Sequence, residues 1–368
     1  MAMYVGLDVH SKMSVFVIED EEGQIVARGE VPTSAEGIKR LRDEHGLPAG
    51  TKVALETGTV AFFAARKLAE VGLTPIVVDA HEVRIKAHRP TQKSDRRDAL
   101  ELCEGIRRNS YRSIVHVPPV EVSRLRDTLS RRRHFVRIRS AEVNAVKRLL
   151  RSEGLGEFAR HLGTEAGWNK LEKSLKEHSP MLGAYIAQHR VVWRSAGEQI
   201  EALEKLLDSQ KPPFSEEVER LQTIPGVGPI VALTAVAVLS DVRRFATSKR
   251  VASYVGVVPS THQSADREVH GRITKKGSAE LRAMLCEAAH HASRRTHPLN
   301  PYFRKLCAKH GYKMATIAVA HRLCRIIYAM MKNRTNFDER KLGVERGPFQ
   351  RTAEHLYRLK LVSTATNA

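Results

Sequence analysis

Apolar positions along the first eighty residues recur with a period that changes from two to about four and back. "MYVGLDV", "MSVFVIED" and "QIVARGEVP" are β-branched and apolar or alternate with polar residues, which predicts three strands within residues 3–32, the third entered through a Glu-Glu-Gly turn. "SAEGIKRLRDEHG" then shifts to helical spacing at Ile38 and Leu41, with a serine start and Gly46 as the stop. "TKVALET" predicts a fourth strand, "AFFAARKLAEVG" a second helix and "LTPIVVDA" a fifth strand. A three-strand meander followed by alternating strands and helices predicts a mixed sheet with helices packed on it.

From about 120 to 210 the pattern is helical only. Leu125, Leu129, Ile138, Val146, Leu149 and Leu150 form a partial apolar face on a long basic segment. Trp193, Ala196, Ile200, Leu203 and Leu207 step by 3, 4, 3 and 4, a short heptad seam suited either to dimerisation or to packing within one chain. "KPPFSEE" at 211–217 interrupts the helical pattern as a domain boundary would. "LQTIPGVGPIVALTAVAVL" follows, with Pro225, Gly226 and Gly228 making a tight turn into a helix start. There, free backbone N–H groups can meet a phosphate, the helix-hairpin-helix pattern of sequence-independent DNA binding. A helix is expected at about 246–254. Residues 258–272 lack apolar periodicity and read as a loop, and "TKKG" leads into another helix. The final "RTAEHLYRLKLVSTATNA" carries no informative pattern.

The chain thus reads as α/β plus all-α. The expected domains are a mixed-sheet domain over 1–115, a basic helical and coiled-coil region over 116–215, a helical domain with the hairpin-like motif over 216–300, and a helical extension over 301–368.

Composition adds a partner. Sixty-one Lys and Arg against 41 Asp and Glu give a net charge of +20 over 368 residues, and a field of that size selects for a polyanion. The excess concentrates between Glu121 and Arg151, where ten Lys or Arg face three acids and Arg131, Arg132, Arg133 and Arg137 fall close together. Such a helix can lie along a phosphate backbone while its other side packs. Lys275 and Lys276, before Gly277, are further candidate phosphate contacts. "IVALTAVAVL" at 230–239 has about half the length needed to span a bilayer, and Asp8 stands where a signal peptide needs apolar residues, so a cytoplasmic protein is expected. Cys103, Cys286, Cys307 and Cys324 are isolated, which indicates core packing rather than a zinc ribbon or a disulfide framework.

The candidate chemistry lies in acids. Asp8 falls within the apolar first strand and Glu56 ends the fourth; an acid in a buried strand is costly unless paired or bound to metal. In "QKSDRRDAL", Asp95 and Asp98 sit three apart and share a helix face, among Lys93, Arg96 and Arg97, with Arg84, Lys86 and Arg89 just upstream. Four carboxylates are hard oxygen ligands suited to Mg²⁺ or Mn²⁺. Two such ions clamp the attacking and leaving oxygens of a phosphodiester, and the surrounding bases would hold its phosphate. His10 can touch phosphate but reads more readily as structural, while His290 and His291, about a hundred degrees apart on a helix, make a poor metal pair.

"GLDVH", "ALETGT" and "KSDRRDA" resemble the three blocks of the RuvC-like, RNase H-fold DEDD domain of transposases of the insertion-sequence one-ten family, relatives of the Piv invertase. "IPGVGP" through "YVGVVP", "HQSADREVHGRITKKG" and "LRAML" resembles that family's C-terminal transposase domain. The resemblance covers residues 3–110 and 220–295 well. It implies Asp8, Glu56, Asp95 and Asp98 as a metal-binding tetrad and a serine nucleophile that falls on Ser264, followed here by Ala265 where the family has glycine. Residue chemistry alone does not choose Ser264 over Ser260, Thr261 or Ser253. The implied reaction is strand exchange through a covalent phosphoserine, at a composite site drawing on both domains of a homo-oligomer, a dimer or tetramer. A structured guide (bridge) RNA, with Arg124 to Arg151 as its candidate contact, is implied as a partner beside the element-end and target DNA. The rival expectations are a RuvC-like nuclease or resolvase that hydrolyses with metals alone, a site-specific DNA invertase, and a non-catalytic nucleic-acid-binding protein.

Overall fold

The computed structural model describes residues 2–86, 94–175, 179–264 and 267–342, and of 261–264 and 267–270 the backbone alone. The chain divides into two compact units, Met1–Pro119 and Val120–Ala368.

The first unit is a five-stranded mixed sheet. Its strands are β1 (Tyr4–Val9), β2 (Met13–Glu19), β3 (Ile25–Pro32), β4 (Lys52–Glu56) and β5 (Thr74–Val78), in the order β3-β2-β1-β4-β5. β1, β2 and β3 pair antiparallel; β4 and β5 join parallel to β1 and to each other. Helices α1 (Ala35–Glu44), α2 (Ala61–Glu70), α3 (Ala80–Lys86) and α4 (Asp95–Arg107) complete the unit. α1 starts where Ser34 Oγ accepts from the Gly37 amide at 3.1 Å.

Because strand side chains alternate, β1, β2, β4 and β5 each feed two cores. Val5, Leu7, Val53 and Leu55 pack with Ile38, Leu41, Ala64 and Leu68 on the α1 and α2 face. The opposite face belongs to α4: Ala99 and Cys103 pack with Val15 and Val17, and Leu102 and Ile106 pack with Ala54 and Val78. Tyr4, Gly6, Asp8, Ala54 and Glu56 share this second face by their parity.

Gly6 sets how closely α4 approaches. A Cβ at position 6 would lie 1.9 Å from the Ala99 carbonyl oxygen and 2.5 Å from the Cys103 amide nitrogen, so only glycine lets the helix backbone rest on β1. Cys103 Sγ donates to the Tyr4 carbonyl at 3.2 Å, and burial pushes its thiol up to about 12, so it stays protonated and packs as an apolar group. At the far end of α4, Arg107 Nε meets the buried Glu19 carboxylate at 2.8 Å.

The second unit is largely helical. α5 (Val120–Ser152) and α7 (Pro180–Gln210) are long partners, with α6 (Glu165–Leu175) packed beside them around Trp168, Ile186 and Trp193. α8 (Ser215–Gln222), α9 (Pro229–Leu239), α10 (Ser248–Val255), α11 (Ala279–His290), α12 (Asn300–His310) and α13 (Tyr312–Asn333) form the rest. They share one apolar core, which also takes Leu125 and Leu129 from α5 and Leu342. α9 is apolar all round and buried, as a central helix must be. α13 is long and apolar enough to cross a membrane by length and composition; Ala315, Val319, Leu323 and Ile327 bury it in this core.

The segment 258–272, expected to be a loop, is instead an antiparallel hairpin of β6 (Pro259–Ser264) and β7 (Arg267–Ile273). Its ladder satisfies the backbone directly, so two polar strands pair without an apolar face to signal them. Ser260 Oγ adds a bond to the Arg272 carbonyl at 3.0 Å.

The heptad seam turns inward. Trp193, Ala196, Ile200 and Leu207 are buried within the chain, so this seam packs inside one copy. The neighbouring stripe of α7, residues Met181, Tyr185, Gln188, Val192, Ser195, Gln199, Ala202 and Leu206, repeats the 4, 3 spacing and is exposed throughout.

Candidate active site

The β1–β4 register pairs Val5 with Val53 and Gly6 with Ala54. Continued by two residues, it sets Glu56 level with Asp8 on the face that α4 covers. Both acids stand at the carboxyl ends of adjacent parallel strands, where open α/β sheets place ligands.

α4 brings the other acids. Asp95 and Asp98 occupy its first turn, where the positive end of the helix favours carboxylates. Asp95 is exposed and Asp98 half-buried. His10 lies between two of the acids: its Nε2 is 3.1 Å from Asp8 Oδ2 and 3.4 Å from Asp95 Oδ2. Ligand atoms of Asp8, His10 and Asp95 lie within 4.8 Å of one another, close enough to share one ion. Two carboxylates and an imidazole suit a divalent ion of intermediate hardness such as Mn²⁺ at least as well as Mg²⁺.

The acid set read from sequence holds no histidine, so His10 is an addition. A signal for it was present: His10 follows Asp8 by two residues, just past the end of β1.

Of the surrounding bases, Arg96 is exposed and Arg97 half-buried, while Lys93 and Arg89 lie outside the described residues. Lys86 bonds to Glu82 and to the Ser110 carbonyl. Glu82 also accepts from the amides of Arg112 and Ser113. Burial raises its carboxyl, but Lys86 and these amides outweigh that and hold it at about 2. This anchor ties α3 to the segment after α4.

In the second unit, Gly226 has φ +83°, and a Cβ there would lie 2.9 Å from the His291 Cβ and 3.1 Å from the Ala288 carbonyl oxygen. Gly228 caps α9 with its backbone, and its α-carbon faces open space. His297 Nε2 donates to the Pro225 carbonyl at 2.9 Å while its Nδ1 accepts from the Leu299 amide, which fixes a neutral tautomer. Burial lowers its pKa, in keeping with that state. The turn is therefore clamped from behind and open in front.

Ser264 ends β6, its backbone paired with Arg267. Lys275, in the left-handed region at φ +55°, and Lys276 are exposed. On α5, Arg131 and Arg137 are exposed with Arg124 and Arg148. Arg132 Nη2 instead bonds Glu204 at 2.6 Å, and Arg133 faces Glu280, whose carboxyl is raised by burial and drawn back by Arg133 and Arg132.

A family model of the IS110 DEDD group, described as "Transposase", matches residues 5–153, and the model of the transposase IS116/IS110/IS902 family matches residues 218–306. The transposase for insertion sequence element IS1111A of Coxiella burnetii is 28% identical over 262 residues, 69% of this chain and 70% of that protein. A probable family 20 transposase of Pseudomonas aeruginosa is 26% identical over 339 residues, 90% of this chain and 97% of its own. A pilin gene-inverting protein of Moraxella lacunata is 32% identical over 133 residues, 35% of this chain and 41% of its own. These matches mark an enzyme of DNA transposition and recombination. The chain is a member of the IS110 family of DEDD transposases.

Proposed function

We propose that this transposase exchanges DNA strands with an Asp8, Glu56, Asp95 and Asp98 metal set on an RNase H/RuvC-like sheet and with Ser264 as nucleophile. The observation that carries the first half is the convergence of Asp8 and Asp95 around His10, with Glu56 at the end of the adjacent parallel strand and, by parity, on the same face as Asp8. Divalent ions held by such a set polarise a scissile phosphate and stabilise the leaving oxygen. Asp8 and Glu56 supply ligands from strand ends that the ladder fixes, and Asp95 and Asp98 from a helix turn whose distance Gly6 fixes. For Ser264, the serine oxygen bonds to phosphorus as the phosphodiester P–O bond breaks, the serine hydroxyl's proton balancing the one the leaving strand oxygen takes up, and the phosphoserine ester keeps the bond energy for rejoining.

The exposed arginines of α5 and the open turn at Gly226 and Gly228 are proposed contacts to nucleic-acid backbone, with Lys275, Lys276, Arg96 and Arg97. A guide RNA on α5 would leave sequence choice to base pairing. The exposed Met181–Leu206 stripe is the proposed contact between copies.

The test incubates the protein with flanking-element RNA, Mg²⁺ and labelled junction and target DNA, then denatures and looks for DNA covalently held by protein. An adduct that is lost with Ser264→Ala, with Asp95→Asn and on chelation is expected. Free cleaved ends, with no adduct and no response to Ser264→Ala, would leave a metal-only nuclease instead. A second reading, site-specific inversion by the same chemistry, is favoured by the likeness to the pilin gene-inverting proteins. Rejoined, inverted DNA between paired sites is its readout.

A further inference from the structure

Residues between His321 and Leu342 line much of a cavity of about 720 Å³ in the second unit. Its wall is formed by α13 residues from His321 to Asn333, together with Tyr302 of α12, Ser248 at the start of α10 and the segment that doubles back from Asn333 to Leu342. Most of this lining lies beyond residue 306, where the match to the C-terminal family model ends.

The lining combines cations with aromatic rings. His321, Arg322, Arg325 and Lys341 face it together with Tyr302 and Phe337. Arg322 acts within the fold, since it bonds the Leu342 carbonyl, so holding the returning segment, and lies 4.8 Å from the centre of the Tyr302 ring. Arg325 differs. It is exposed, and among the described residues its Nε alone meets a protein acceptor, Ser248 Oγ at 3.1 Å. Asp338, the acid in the lining, is turned to Arg340, accepting from its amide and its Nε at 3.0 Å each. Burial first, and then Arg325, hold His321 below its ordinary pKa, so the site's field is positive with a neutral imidazole inside it. A guanidinium with donors to spare and two rings lining one cleft of small-ligand size have the makings of a phosphate and base site.

We propose that this cavity binds a single nucleotide, its phosphate taken by Arg325 and Lys341 and its base by the rings of Tyr302 and Phe337. The ligand is either a free nucleotide or one unstacked nucleotide of a bound strand; the chemistry recognised is the same. This inference is independent of the metal set and of Ser264.

The test titrates a fluorescent adenosine monophosphate analogue into the full chain at physiological salt, followed by anisotropy. Saturable binding is expected, weakened about tenfold or more by Arg325→Ala, less by Arg325→Lys, and several-fold by Tyr302→Leu. Arg243→Ala removes an equal charge outside the cavity and should leave binding unchanged. Thermal melts of each variant separate lost binding from lost folding. Displacement by unlabelled nucleotide but not by a short single-stranded oligonucleotide identifies a free nucleotide. Displacement by the oligonucleotide, and not by one abasic throughout, identifies a strand. Absence of saturable binding, equal loss in Arg243→Ala, or displacement by orthophosphate as effective as by nucleotide would overturn the proposal.

Discussion

Asp8 does little alone; its neighbours in space make it part of a site. Gly6, two residues earlier on the same face, lets α4 rest on β1, and that contact brings Asp95 to His10. Gly6→Ala would push a methyl group into the helix backbone, which has no flexible end to yield. We expect it to cost about 1–3 kcal/mol in denaturant unfolding and to abolish strand cleavage, because α4 must shift. Full cleavage with unchanged stability would show that α4 approaches differently. Asp8, Asp95 and Asp98 were legible as candidates because a strand acid and an i, i+3 acid pair are local patterns. His10 was harder to read, since its role depends on a contact across some eighty-five residues of chain.

At the scale of elements, α7 shows how one helix carries two heptad stripes. The inner stripe was visible as Trp193 to Leu207, and its burial against neighbouring helices leaves the outer one exposed, where the proposed contact between copies would fall. Val192→Glu with Leu206→Glu should leave melting within about 0.5 kcal/mol of wild type, since both residues are exposed, while shifting sedimentation toward monomer. Ile200→Glu should unfold the unit by burying a charge. An unchanged oligomeric state in the double variant would place the interface elsewhere. α3 illustrates a second kind of tie. Glu82 has a folded pKa of about 2, below its unfolded value of 4.5, so its contribution is complete above 4.5 and lost as pH falls from there toward 2. Glu82→Gln should therefore flatten the acid side of the stability curve of the first unit; an unaltered acid limb would refute the anchor. The hairpin of β6 and β7 escaped sequence reading because its strands carry no apolar alternation, and pairing is a decision of the backbone ladder.

Over the whole molecule, a net charge of +20 makes binding to nucleic acid salt-dependent, but only arginines that the fold does not engage in ion pairs count toward it. Arg131→Ala should weaken binding to all sequences alike and lower the slope of log K against log salt by about one. Arg132→Ala, whose side chain is already paired with Glu204, should leave that slope nearly unchanged. Equal effects would mean that Arg132 leaves Glu204 when nucleic acid binds. What the sequence determined by itself was the order of the five strands with α1, α2 and α4 in the first unit, the largely helical character of the second, the sign of the partner and the acids to suspect. Those follow from periodicity, from charge and from spacings within a turn or a strand. Only the tertiary structure decided that Asp8 and Glu56 share the face of α4, that His10 stands between acids, that Arg132 is held in an ion pair while Arg131 is exposed, and that α13 and the segment from Asn333 to Leu342 line a cavity. Each of these depends on residues far apart in sequence meeting through packing, for which no local pattern carries the information.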